Sequence, residues 1–586
     1  MFPLHIHSGY SLLEGVITID EILSKAVEYG LKSVALTDTN GMYGLVSFYK
    51  KASEKGIKPI LGAYIDQPEA DNHPEFISGS RDVKKNYKGS RHKVQYDLQS
   101  VCNDTSGSTK RIYAIFLAKN FNGYSDICRI ITARKLKENF SLFEVLQDEM
   151  PDVFILTSSI ELLQNIPDYK NIFAELIITK KNRLKARSLY DFAVQKKIRY
   201  VISNPVYFSE PEDYQLHKVV TAIKNRNTVD NLSDDDIVDE EFYFKHPATF
   251  SHLKDKLPEA FANMEFIAKH CNVDLDLGKH KIPSFPGTTK QSAYSLLVDE
   301  TYEGLERRYG KTDESIKHRL NEELHVINEL GLSDYFLIVY DIYQEAKRRK
   351  MMTLTRGSAA NSLVCYCLGL TEVDPVKYDF YFTRFLNRSR SSLPDVDIDF
   401  SWKERDEIVQ YIFNKYGYSK VAFISTHVTM KARSAFRETA KVFGFSDREI
   451  SKISKFIPWT DARNLPDIAQ RFPEARSLNF KNEPWKSVIN IASRLANFPR
   501  HLSIHPGGIV ISPLPITTFT ALEYAKNKGV GLIITQPDMY GVEDIGLVKI
   551  DLLSQRSLGV LRDSIQQVGE SNYFLSAEKH FYSQRN

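Results

Sequence analysis

This sequence predicts an α/β protein of several domains, and three observations carry that prediction. Strand-like and helix-like segments alternate in the N-terminal part. Far downstream, Pro394 to Phe400 alternates acids and aliphatics with a period of two, and Gly546 to Asp551 is a second short apolar strand with one acid and one base. Between these two strands lies a basic stretch with helical spacing. A chain of 586 residues is long enough for about three or four domains.

The N-terminus reads as an α/β unit. Phe2 to Ile6 is a strand, Ile22 to Tyr29 an amphipathic helix closed by Gly30, and Ser33 to Thr37 a second strand. A helix from Gly44 to Glu54 and a strand from Pro59 to Leu61 follow. Such alternation implies parallel pairing in an open sheet or a barrel. His5 and His7 end the first strand and Asp38 the second, and strand ends are where such folds keep their chemistry. From Gln67 to Lys110 the apolar pattern collapses into a polar run with Lys84, Lys85, Arg91 and Lys93. It reads as an insertion, solvated or in contact with nucleic acid. Strands resume around Ile115, Phe154 to Leu156 and Tyr200 to Ile202. The Lys/Pro/Gly-rich segment Asp276 to Gly287 reads as a linker.

Beyond it, Leu320, Leu324, Ile327 and Leu330 recur at helical spacing, and a second helix runs from Tyr335 to about Ala346. Lys347 to Lys350 put four cations at its end, which either balance the helix dipole or meet phosphate. A Gly357-Ser358 pair then precedes a helical apolar run, a geometry in which backbone N–H groups and a hydroxyl can hold phosphate.

In the strand that follows, Asp395, Asp397 and Asp399 share one face while Val396 and Ile398 face a core. An isolated pair of such acids is ordinarily a solvated edge. With a phosphate cradle upstream and the strand carrying Lys549 and Asp551 downstream, the set points instead to Mg²⁺ and two-metal nucleotidyl transfer. Arg384 and Arg390 lie between cradle and acids. From Lys431 a helix places Arg433, Arg437 and Lys441 on one face, either solvated or tracking a phosphate backbone. Arg500, His501 and His505 precede Pro506 to Ile511, a turn into a strand.

The whole-chain numbers exclude some classes. A net charge of +3 gives no global basic signature, so nucleic-acid binding rests on local patches. Five cysteines, at 102, 128, 271, 365 and 367, form neither a metal spacing nor a disulfide framework. No signal peptide and no membrane-length apolar run is present, which predicts a cytoplasmic protein without membrane contact.

The segments Arg356 to Asn361, Phe382 to Asn387, Pro394 to Phe400, Arg500 to Gly508 and Lys549 to Asp551 resemble, in order and spacing, the bacterial C-family DNA polymerases, the DNA polymerase III alpha subunit. The forms Gly-Ser-Ala-Ala-Asn-Ser and Arg-His-Leu-Ser look closer to that family's error-prone branch. The resemblance implies an N-terminal distorted β/α barrel of the polymerase and histidinol phosphatase (PHP) type over 1–275, with a polar insertion at 67–110. It further implies a polymerase-beta-like nucleotidyltransferase palm over 276–430 and 500–558, and a mostly helical thumb over 431–499. Asp397, Asp399 and Asp551 match the catalytic Mg²⁺ ligands, two ions in all. Arg384 matches a family arginine that helps hold the incoming triphosphate, Gly357, Ser358, Arg390 and Lys549 are the other candidate substrate-binding residues, and Arg433, Arg437 and Lys441 lie on the thumb that grips DNA.

In the N-terminal domain His5, His7 and Asp38 match the first metal ligands of intact PHP members, but Thr39, Tyr113, Pro205 and Tyr207 stand where later ligands would be. The expectation there is a structural domain without metal. Only 35 residues follow Asp551, so 559–586 would be the start of truncated fingers. Primer-template DNA and dNTPs are the implied substrates; a second polypeptide would supply fingers, and no sliding-clamp contact is expected. Two other functions remain: a non-catalytic DNA-binding or assembly subunit, and a PHP-type 3′ exonuclease or phosphoesterase.

Overall fold

The computed structural model describes residues 2–68, 111–388, 394, 396–525 and 532–568. Lys84, Lys85, Arg91 and Lys93 of the polar run, together with Arg390, Asp395 and residues 569–586, lie outside the described residues.

Two sheets organise the rest. The first contains β1 (Ser33–Leu36), β2 (Lys58–Asp66), β3 (Tyr113–Ala118), β4 (Val153–Thr157), β5 (Ile172–Ile177) and β6 (Arg199–Ser203), in sequence order. Pairing is parallel at both ends of the sheet, but β3 runs antiparallel to β2 and to β4. The alternating pattern implied parallel pairing; periodicity reports that a segment is a strand and not which way it runs. β5 escaped the sequence reading because Glu175 interrupts its apolar run.

The expected strand at Phe2 to Ile6 forms a bridge only at Ile6, and Pro3 has no N–H to donate. The segment is nevertheless hydrogen-bonded on both sides. Thr37 N–H donates to Ile6 O (2.9 Å), while Val206 N–H donates to His5 O (2.9 Å) and His7 N–H to Val206 O (2.8 Å). It therefore lies between β1 and the chain leaving β6, curls the sheet toward closure, and delivers His5 and His7 to its interior.

Helices cover this sheet for local reasons. The helix Ile19–Glu28 starts at a Thr18/Glu21 capping box and buries Ile19, Ile22, Leu23 and Ala26 on one stripe. They join Leu36, Phe48, Phe116 and Tyr124 in one core.

The second sheet contains β7 (Thr353–Arg356), β8 (Asp397–Ser401), β9 (Val421–Thr429), β10 (Pro499–Ile511), β11 (Leu522–Tyr524), β12 (Ile533–Asp538) and β13 (Val548–Gln555). Their spatial order is β11-β12-β9-β10-β13-β8-β7. Val396, Ile398, Phe400, Ile550 and Leu552 face a core shared with Leu320, Leu324, Ile327 and Ile342 from the two predicted helices, Glu314–Glu329 and Ser333–Arg348.

The segment read as a linker is stitched to this sheet, with Gly278 N–H donating to Asp544 O (3.0 Å) and Lys281 N–H to Gly546 O (2.7 Å). Gly546 has φ +86°, and a Cβ there would sit 2.0 Å from Lys279 O, so only glycine allows this approach. Helices Ala432–Val442, Asp447–Ser454 and Trp485–Arg494 pack around Phe436, Ile450 and Val488. Phe208, Val219 and Val220 of the N-terminal part enter the same core. Among the described residues no helix is long and apolar enough to cross a membrane.

Candidate active site

The second sheet brings three of the predicted acids together. β8 lies between β13, parallel, and β7, antiparallel, in a register that sets Asp397 opposite both Asp551 and Arg356. Asp551 in turn faces Gly508 on β10. One row therefore crosses four strands: Arg356, Asp397, Asp551, Gly508. Asp399 is two residues further along β8 on the same face, because Ile398 and Phe400 occupy the core face.

Each carboxylate has a different environment. Asp399, only 2 % exposed, receives both prongs of Arg356: Nε lies 2.7 Å from Oδ2 and Nη2 donates to Oδ1 at 2.9 Å. Asp551 is buried, with Oδ2 3.1 Å from Lys549 Nζ. Its Oδ1 is buried with no hydrogen-bond partner. His505 Nδ1 is 3.8 Å away, but that nitrogen accepts the Gly508 N–H at 2.8 Å, which puts the ring proton on Nε2. Lys549 also lies 3.5 Å from Glu543. Such an all-oxygen donor set with an unsatisfied buried oxygen fits a hard divalent cation. As the side chains stand, no three His, Cys, Asp or Glu among the described residues converge enough to hold a metal ion. At this site Arg356 occupies Asp399.

Gly357 follows Arg356 with φ +81° and open space where a Cβ would be. Ser358 is held in the same turn, its carbonyl accepting from Asn361 Nδ2 at 2.9 Å. The apolar helix expected after it is the short Leu363–Cys367, and its N-terminal N–H groups are already used. Glu323 accepts from Val364 N–H (3.1 Å) and from the Ser362 hydroxyl, which itself caps Cys365 N–H (3.2 Å). The phosphate-holding capacity read from the sequence is thus confined to the Gly357-Ser358 turn. Glu323 had no sequence signal, being one acid on a polar helix face. Arg384 is exposed, with no ion pair among the described residues.

On the helix Ala432–Val442, Arg433 donates twice to Ile457 O (2.6 and 3.0 Å). Arg437 donates to Ser454 Oγ (3.0 Å) and lies 3.5 Å from Asp447, as does Lys441. The predicted stripe is therefore partly engaged in fastening the next helix. Arg500 pairs with Glu438 (2.9 Å).

Comparison with known proteins decides the family. Residues 295–554 match the family described as bacterial DNA polymerase III alpha NTPase domain, and residues 3–170 match the PHP domain. The chain belongs to the DNA polymerase III alpha family. It is 31% identical to an error-prone DNA polymerase of Symbiobacterium thermophilum, over 97% of the chain and 52% of that protein. It is 33% identical to the DNA polymerase III subunit alpha of Bacillus subtilis, over 95% of the chain and 48% of that protein. The corresponding subunit of Halalkalibacterium halodurans is 32% identical, over 97% of the chain and 49% of that protein. The chain thus spans about half the length of the curated relatives it matches, and the identities do not separate the error-prone branch from the main one.

In the PHP domain His5, His7 and Asp38 are all buried. His5 Nδ1 bonds Glu175 Oε1 (2.8 Å), and His5 Nε2 faces His7 Nε2 at 2.8 Å. His7 Nδ1 bonds the Thr39 hydroxyl (2.9 Å), and its ring stacks on Tyr207 with centroids 4.1 Å apart. Tyr113 donates to Glu175 Oε2 (2.6 Å). Burial, and then His5, push His7 well below its usual value. Asp38 accepts from Ser8 N–H (2.7 Å) and Ser11 Oγ (2.6 Å), yet burial raises its carboxyl to about 6. Glu175 is the functional group the sequence reading missed. Thr39, Tyr113 and Tyr207, noted as departures from the ligand pattern, are the residues that complete the network.

Proposed function

We propose that this chain carries the nucleotidyl-transfer centre of a template-directed DNA polymerase, acting on primer-template DNA and dNTPs in replication or translesion synthesis in the cytoplasm. The observation that carries the proposal is the cross-strand row of Asp397 and Asp551 beside Asp399, with Asp551 Oδ1 buried and unsatisfied. Asp397, Asp399 and Asp551 would hold the metal. Two Mg²⁺ ions, when bound, supply Lewis-acid activation of the primer hydroxyl and charge stabilisation at the transferred phosphate.

The chain's own residues supply positioning. Lys549 neutralises Asp551 and offers a cation to nucleotide phosphates. The Gly357-Ser358 turn presents open backbone at the edge of β7, and Arg384, nearby in sequence, extends a guanidinium with no ion pair among the described residues. Arg390 belongs to the same proposed set. His505, with its proton on Nε2, can donate but cannot accept there. Lys441 and Arg437 would contribute thumb contacts to the DNA backbone, which are sequence-independent and salt-sensitive, while Arg433 is held on the Ile457 carbonyl. The proposed domain boundaries are 1–275 for the PHP part, 276–430 and 500–558 for the palm, 431–499 for the thumb and 559–586 for the start of the fingers.

A non-catalytic DNA-binding or assembly role is favoured by one observation, that both oxygens of Asp399 are engaged by Arg356. A PHP-type phosphoesterase would need ring nitrogens that here bond Glu175, Thr39 and each other. Primer extension with Mg²⁺ and four dNTPs tests the proposal, comparing wild type with Asp397→Ala/Asp399→Ala while recording DNA binding of both. Extension abolished by the substitutions, with binding retained, supports a working palm. No extension by the wild type despite salt-sensitive DNA binding would overturn autonomous polymerase activity and leave the binding role.

A further inference from the structure

Arg356 was singled out by sequence only as the first residue of a motif, yet it makes the most specific contact in the acid row. It is the last residue of β7, in register with Asp397, and its guanidinium reaches across to take both oxygens of Asp399. The partners differ sharply in exposure. The Asp399 side chain is 2% exposed and the Arg356 side chain 46%. A buried carboxylate without a cation is costly, so some positive group must stay there. A guanidinium forked onto both oxygens puts its positive charge beside the carboxylate and repels a metal ion approaching the same ligand. Arg356 and a divalent ion therefore compete for one ligand. The next residue, Gly357 at φ +81°, opens the turn that carries Ser358. A guanidinium leaving Asp399 thus starts beside the place where a triphosphate would lie, with half its surface already in solvent.

We propose that Arg356 is a positioning residue. It holds Asp399 as an internal counter-cation until divalent metal displaces it, and the released guanidinium then pairs with the triphosphate of the incoming nucleotide. This rests on the reading of Asp397, Asp399 and Asp551 as metal ligands. It makes metal and nucleotide binding mutually reinforcing, because each takes one partner of the resting pair.

The test is Mn²⁺ binding to the 586-residue chain, followed by electron paramagnetic resonance of free Mn²⁺ without nucleotide or DNA. Wild type, Arg356→Gln, Arg356→Lys and Asp397→Asn are compared, with circular dichroism to confirm folding. Arg356→Gln should bind Mn²⁺ on the order of tenfold more tightly than wild type, with Arg356→Lys between them, since a lysine pairs with only one prong. At saturating Mn²⁺ the same Gln variant should bind dATP more weakly by a similar factor. A merely structural arginine would lower the melting temperature without tightening Mn²⁺ binding. Should the Gln variant fail to fold, the Lys variant carries the comparison. Mn²⁺ binding that is lost in Asp397→Asn but unmoved or weakened by both Arg356 substitutions overturns the inference and leaves the active-site reading intact. No palm Mn²⁺ site in any of the four proteins overturns both.

Discussion

Two polar clusters in this molecule began from the same kind of material, acids and bases at strand ends of a β sheet, and they have opposite capacities. In the PHP domain the lone pairs and protons are committed internally. His5 is tied to Glu175 and His7, His7 to Thr39, Glu175 to Tyr113, and Asp38 to Ser8 and Ser11. In the second sheet, Asp551 retains a buried oxygen with no hydrogen-bond partner among the described residues, and Asp399 is matched by a guanidinium that is half in solvent. What separates the two is not the number of acids but whether hydroxyl and aromatic side chains have filled the positions around them. A saturated network stabilises a fold. An unsaturated one keeps free energy available for a ligand.

The largest effect expected from this contrast is at the acid row of the second sheet. Asp399→Ala should reduce primer extension by at least about a thousandfold, since such an acid acts mainly on transition-state charge. Single-turnover extension measures this. The contrast breaks if the loss is below tenfold while DNA binding is intact.

Next comes the PHP network. Glu175→Ala should destabilise the chain by about 3 kcal/mol, because the buried His5 nitrogen and Tyr113 hydroxyl lose their shared acceptor. Urea denaturation measures it, and Mn²⁺ binding at the palm should not move. A drop in Mn²⁺ affinity would show that the two clusters are coupled rather than independent.

A pH dependence sharpens the picture further. The Asp38 carboxyl is raised by burial from 3.8 to about 6 in the fold. Its folded state therefore holds a proton more tightly than the unfolded chain. The stability this contributes is complete below about pH 4 and is lost as pH rises through about 6. Between those limits wild type should lose about 2 to 3 kcal/mol relative to Asp38→Asn. Denaturation midpoints of both proteins at pH 4, 5, 6 and 7 show it as a converging or diverging gap, and a pH-independent gap would refute the assignment.

The smallest effects belong to the helix Ala432–Val442 and what it fastens. Lys441→Ala should weaken primer-template binding uniformly across sequences and lower the salt slope by about one. Arg433→Ala should mainly cost thumb stability, on the order of 1 kcal/mol, because its guanidinium fastens the Ile457 carbonyl. Fluorescence anisotropy across a salt series, set beside thermal melts, separates the two residues.

Much of this architecture was legible in the order of residues. The period-two run Val396 to Phe400 placed its acids opposite its aliphatics because a strand allows nothing else. The amphipathic helix read over Ile22 to Tyr29 is found over Ile19–Glu28, its first turn and Thr18 cap lying ahead of the apolar stripe that revealed it. The motif spacing from Arg356 to Asp551 identified the family. Tertiary structure alone decided what lies across from what. Strand direction around β3 depends on connections that a local pattern does not record. Arg356 meets Asp399 only because β7 runs antiparallel to β8. Asp551 reaches Asp397 only because β13, more than a hundred residues later, pairs parallel to it. Glu175 hid in an apolar strand, since a buried carboxylate makes sense only once His5 and Tyr113 are seen beside it. Short-range periodicity is set by the geometry of one element and survives in one dimension. Whether a charged group is paired, buried or left unsatisfied is a property of neighbours far away in sequence, and only folding brings those together.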